Sequence, residues 1–315
     1  MAKLAKLLIY GSLLYFIPTV IIYSAFLGAV VRFRAKEPFS GAFYYHCFTL
    51  GVIDIVTLLT TEFFVHFPQR LWLAKSLFSG TAGVQTAKVA KFFWAFSSYA
   101  QHLGILYLCW NRFVAVVLPF KYNQLCSKQK QRWMTVLQVS IPVIIGVAVS
   151  FTSGDLRYVM HVADNQSYVS FEYGGISKSQ LVYGRALLTM SWSFTVVVSC
   201  FYIAIGIKLW KQRNSVASAV SQQSQLETRK RELRLLANSI VIFMLMGSFA
   251  IYLTCRAVFN FNYFSQPLSG PSFIAYAVIT DLFSGLNPYL LLMTSRSLRK
   301  HFALFVTCKD DNSIT

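Results

Sequence analysis

Asp54, Arg112 and Asp281 are ionisable residues inside long apolar stretches of this 315-residue chain. An ionisable group among such neighbours is costly and by default marks a site. Asp54 is flanked by Val52, Ile53, Ile55 and Val56, and Asp281 opens a polar cluster that continues through Ser284, Asn287 and Pro288. A proline in a buried helix frees a backbone carbonyl that neighbours or water must satisfy. If the two stretches run antiparallel, Ser284 and Asn287 reach the depth of Asp54. The three then form a hydrated pocket able to hold a small cation such as sodium. The alternative is an Asp54 that is protonated and serves as packing glue between helices.

Arg112 closes a third apolar stretch, between Asn111 and Phe113, with Pro119, Phe120, Lys121 and Tyr122 following. A guanidinium at that boundary either snorkels to the interface or serves as a contact for a partner. Its carboxylate partner is expected from across the bundle: Glu232, or Glu227 a turn further out, with Lys230, Arg231 and Arg234 around the same opening. A further set of polar and aromatic residues suits a ligand cavity between helices: Glu62, His66, Gln101, His102, Trp192, Tyr252, Arg256, Tyr276 and Asp281. Each also has a plainer reading as an interfacial or lipid-facing side chain. The six cysteines show no CxxC or metal-like spacing, and the five histidines contain no HExxH. Neither a catalytic constellation nor a metal site follows from them.

The elements that position these residues are written in the hydropathy. Of the residues 56% are hydrophobic, 16% aromatic and only 13% charged, with a mean hydropathy of +0.52. Soluble domains carry roughly a quarter charged residues. Apolar runs of the ~20 residues needed for one crossing occur at about 7–31, 43–67, 89–112, 133–152, 184–209, 236–259 and 273–293. The predicted fold is all-α, a single seven-helix membrane domain. Residues 295–305 place Leu298, Phe302 and Phe305 at helical spacing among basic residues, predicting a short amphipathic helix on the membrane surface. Cys308 just beyond it is a candidate for palmitoylation.

The formal net charge of +18 belongs to loops beside apolar runs, so it points to anionic lipid and excludes a nucleic-acid partner. Basic residues are dense in 32–36, 121–132, 208–234 and 296–309 and sparse in the alternate loops. By the positive-inside rule the N-terminus lies outside. That puts the one N-glycosylation sequon, Asn165-Gln166-Ser167, outside as well.

Four motifs in this order carry a resemblance: 14–23 (LYFIPTVIIY), Gly51-Val52-Ile53-Asp54, Asn111-Arg112-Phe113 and Leu286-Asn287-Pro288-Tyr289. The chain resembles seven-helix G-protein-coupled receptors. It is most similar to the nematode serpentine chemoreceptors of the Srg superfamily, of the Srv and Srg types. The resemblance implies a chemosensory receptor in the plasma membrane of a sensory neuron, cilium included. It implies a small odorant or pheromone-like ligand in the outer half of the bundle, a heterotrimeric G protein at the cytoplasmic face and room for a receptor dimer. Several features depart from the rhodopsin-like pattern. Asn111 replaces the acid before Arg112, Tyr289 directly follows Pro288, helix six lacks Pro and Trp, and no cysteine is placed for the usual disulfide. A ligand-gated channel or small-solute transporter is the alternative function, with Asp54 and Asp281 along a conduction path.

Overall fold

The computed structural model describes residues 2–36, 39, 41–70, 74–152, 156–163, 166–173, 178–215, 240–255 and 271–308. Its helices are α1 (Ala2–Arg32), α2 (Ala42–Thr61), α3 (Gly80–Val117), α4 (Lys128–Thr152), α5 (Lys178–Ser215), α6 (Ile240–Cys255), α7 (Pro271–Thr294) and α8 (Arg296–Val306). The segments Gly11–Arg32 of α1, Ala42–His66 (α2 with the turn that continues it), Lys128–Thr152 of α4 and Val182–Lys211 of α5 are long and apolar enough to cross a bilayer. In hydrocarbon a helix satisfies its own backbone polar groups, so apolar runs of this length have little choice of structure.

Helix ends differ from expectation where local chemistry intervenes. Helix three begins at Gly80 rather than near Val89 and runs on to Val117. It stops there because Pro119 disfavours helical backbone at Leu118, which adopts φ −122°. The chain then turns by 117° into Pro119–Leu125. Helix α2 passes into a π-helical turn at Glu62–His66 and ends with Phe67–Gln69. The residues between α4 and α5, read from sequence only as a loop, contain an antiparallel hairpin, β1 (Leu156–Ala163) and β2 (Gln166–Tyr173). Its strands are rich in Val and Tyr, residue types that favour strands.

Tyr158 anchors this hairpin. Its ring meets Phe78 edge-on at 4.9 Å, and its hydroxyl donates to the Phe64 carbonyl, 2.8 Å away within the π-helical turn. Burial pushes the Tyr158 phenol well above its ordinary pKa, so the hydroxyl keeps the proton it donates. At the opposite end of the bundle Ser295 caps α8 by accepting from the Leu298 amide at 3.3 Å. Leu298 and Leu304 are buried, and the His301 ring sits edge-on to Phe33 and Phe39. The core joins Tyr23, Phe26 and Leu27 of α1 with Leu50 of α2, Ile105 and Leu108 of α3 and Leu291 of α7.

Candidate functional site

Asp54 lies at the centre of the bundle, 2% exposed, and its carboxylate collects donors from other helices. Tyr23 of α1 donates to Oδ2 at 2.6 Å. Gln101 of α3 donates through Nε2 to Oδ1 at 2.7 Å, and the same nitrogen lies 2.8 Å from Ser284 Oγ of α7. Asn287 reaches both the carboxylate and Tyr23. Four helices thus meet on one side chain. Gly51, one turn before Asp54, makes the approach of α1 possible. A Cβ there would stand 2.9 Å from the Tyr23 ring and 2.7 Å from Leu27.

Proton donors occupy the space around this carboxylate. A sodium ion needs oxygen lone pairs instead, so it fits only after Gln101 turns its carbonyl oxygen toward the carboxylate or Tyr23 swings away. The groups as they stand suit a carboxylate satisfied by the protein.

Two cavities flank the cluster. Toward the hairpin end, Ser97, Gln101 and His102 of α3, Thr57 of α2, and Tyr276 and Thr280 of α7 line a space with ≈ 20 Å³ of room for water-sized molecules. Phe249 and Phe283 wall it, and together with Phe194 they surround the His102 ring at centroid distances of 5.7–6.0 Å. Toward the α8 end, Arg112, Tyr202, Cys47 and Asn287 line a second space of similar size. Gln101 therefore belongs to the first cavity and to the Asp54 cluster, and Asn287 to the cluster and to the second cavity.

Arg112 points into that second cavity, its guanidinium 4.4 Å above the Phe43 ring. Among the described residues no carboxylate pairs with it. Asn111 is buried and reaches the Tyr122 hydroxyl at 3.4 Å, and Phe113 stacks on Phe201 at 5.0 Å. Tyr202 meets the Cys109 thiol at 2.8 Å beside Arg112. The expected partners Glu232 and Glu227, together with Lys230, Arg231 and Arg234, lie outside the described residues, as do Arg256 and Asn165.

The acidic residues expected to line a ligand cavity are instead engaged beyond it. Glu62 pairs with Arg70, both buried, and Arg70 also donates to Ser12 of α1 at 2.6 Å. His66 Nε2 lies 3.3 Å from Asp281, whose backbone carbonyl accepts from Tyr15 at 3.1 Å. These contacts tie α1, α2 and α7 together near the hairpin end. Trp192 is 41% exposed and donates to Thr254, and Tyr252 packs on Tyr276 beside the cavity. Pro288 follows Asn287 within α7. Cys308 is exposed, with φ 51°, and all six cysteines are unbridged.

Sequence reading passed over Tyr23, Arg70, Ser97 and Thr280. A mid-span tyrosine hydroxyl must find a partner, and that was the available sign for Tyr23. Arg70 reads from sequence only as one of the sparse charges of an outer loop.

A buried carboxylate on α2, an arginine near the end of α3 and an Asn-Pro on α7 form a polar axis through the bundle. The model of the serpentine type 7TM GPCR chemoreceptor family Srv matches residues 12–308. The chain belongs to the Srv family. It is a multi-pass membrane protein of a chemoreceptor family, and that family is one of receptors rather than enzymes. A search of curated proteins finds no match. In this Srv chain the match spans every residue of the polar axis, from Tyr23 to Asn287.

Proposed function

We propose that this Srv receptor binds a small odorant or pheromone-like molecule in the hairpin-end cavity and activates a heterotrimeric G protein at the α8 end. The hairpin end, with Asn165 and the N-terminus, faces outward in the plasma membrane of a sensory cell, cilium included. The Asn165 sequon is then open to glycosylation. Basic residues on α8 meet anionic lipid, and Cys308 is positioned for acylation. Dimerisation is compatible with this arrangement.

The observation that carries the reading is the pair of shared residues. A ligand that displaces Gln101 alters a hydrogen bond to Asp54, and a change at Asp54 reaches Asn287 and the wall of the Arg112 cavity. A ligand shifts such an equilibrium only by its differential affinity for the two states, so the shared side chains are where that difference acts. Sodium, in this reading, would compete with Gln101 for Asp54 and favour one state.

Arg112→Ala should abolish G-protein signalling while ligand still binds. Glu232→Gln should raise basal signalling several-fold, about 1 kcal/mol for a partly screened pair. Both are read in reporter cells at matched surface expression. Normal signalling by Arg112→Ala would remove the G-protein assignment from this residue. Ligand-dependent current without any G protein would establish the channel reading instead.

A further inference from the structure

The guanidinium of Arg112 lies 4.4 Å above the Phe43 ring, well inside the ~6 Å at which an aromatic face attracts a cation. Phe43 stands in the first turn of α2 and Arg112 near the end of α3, so the contact joins two helices. Among the described residues no acid competes for the arginine. The lining of the cavity into which it points includes no carboxylate. The carboxylates of the described helical segments are engaged elsewhere: Asp54 with Tyr23 and Gln101, Glu62 with Arg70, Asp281 with His66. Asn111, the residue before Arg112, reaches Tyr122 and Cys126 beyond the end of α3. A guanidinium among apolar neighbours still needs a compensating interaction, and the negative face of Phe43 supplies one.

The ring of Phe43 is itself braced. It meets Tyr44 edge-on at 5.3 Å, Tyr44 meets Phe39 at 4.9 Å, and Phe39 meets His301 of α8 at 5.0 Å. The Tyr44 hydroxyl also lies 3.5 Å from Oγ of Ser295, which caps α8.

We propose that Phe43 is a positioning residue for Arg112, its ring face holding the guanidinium against α2 in the resting receptor as a carboxylate otherwise would. This rests on the G-protein role proposed for Arg112 and adds what restrains that residue from the α2 side. A contact made at rest and given up on activation biases the receptor toward rest by its own strength. Phe43 acts in this way whether or not Glu232 also reaches the guanidinium.

The test replaces Phe43 by mono-, di- and trifluorophenylalanine, which keep the ring's shape and progressively remove the negative charge of its face. Full-length receptor is read for ligand-free signalling in reporter cells at matched surface expression. Signalling should rise in step with fluorination, reaching about three- to tenfold with the trifluoro ring, as expected for a partly desolvated cation–π contact. Phe43→Leu should give a similar rise, whereas Phe43→Tyr keeps the face and should stay near the unmodified level. Melting temperature of purified receptor checks the contact itself. Fluorination should lower it in the unmodified chain and leave it unchanged in Arg112→Gln, where the ring faces no cation. Equal lowering in both chains would trace the effect to the packing on Tyr44 and overturn the proposal. Coupling in melting temperature with flat signalling would make the contact a structural one only and overturn it as well. Both outcomes leave the G-protein role of Arg112 standing, since that role falls only if Arg112→Ala signals normally.

Discussion

Tyr23→Phe and Gln101→Leu each remove one donor from Asp54 while keeping most of the side-chain volume. The two bonds are short, 2.6 and 2.7 Å, and end on different oxygens of one buried carboxylate. A hydrogen bond to a charged group contributes about 1.5–3 kcal/mol, and a neutral one about 1 kcal/mol. Gln101→Leu also withdraws the contact with Ser284, so it should cost more than Tyr23→Phe. Either single variant leaves Asp54 one of these two donors, whereas the double variant leaves it neither. The double loss should exceed the sum of the single losses by about 1 kcal/mol, within the range seen for groups sharing a partner. Melting temperature of purified receptor reads the cycle, at about 2–4 °C per kcal/mol for larger domains. The same cycle repeated on Asp54→Asn should lose most of its coupling, because the shared acceptor has changed. Asp54→Asn should itself fold, since a tyrosine hydroxyl can also accept from an amide, and should alter basal signalling. Additive losses that persist on Asp54→Asn would refute the shared-carboxylate account. Unchanged signalling by Asp54→Asn at normal expression would leave the residue a packing role only.

Gly51→Ala should push Tyr23 away from Asp54 and lower surface expression, at the 1–3 kcal/mol typical of overpacking. Tyr23→Phe in the same chain should recover little of it, because the clash is with the ring and Leu27. Arg70→Met leaves Glu62 buried without its arginine, a loss of about 3–5 kcal/mol, and should sharply reduce folded receptor at the cell surface. Glu62→Gln with Arg70→Met should restore part of that yield. For topology, antibody should reach a tag beside Asn165 on intact cells and one at the C-terminus only after permeabilisation. Staining of both on intact cells would refute the orientation.

The membrane architecture of this protein was legible in its sequence because hydrocarbon leaves a chain few options. Runs such as 43–67 and 273–293 have to be helices, and polar residues stranded within them, Asp54, Ser284 and Asn287, have to find each other or water. The amphipathic spacing of Leu298, Phe302 and Phe305 carried α8 in the same way. The hairpin also left a local sign, in the Val- and Tyr-rich residues 156–173, that was read only as loop. Pairing between helices was another matter. Rotation and vertical offset of each helix depend on side chains far apart in the chain, such as Tyr15 against Gly285 or Tyr23 against Gly51. No periodicity in one segment reports the phase of another. Glu62 and Asp281 have the residue types of a ligand site, yet the tertiary structure engages them with Arg70 and His66. Gln101 is one polar residue among several on α3 until the packed bundle sets it 2.7 Å from Asp54 and along the cavity wall. The surroundings of His102 are likewise tertiary: its Nδ1 meets the Ser98 carbonyl one helical turn before it, while phenyl rings from α5, α6 and α7 pack around the imidazole.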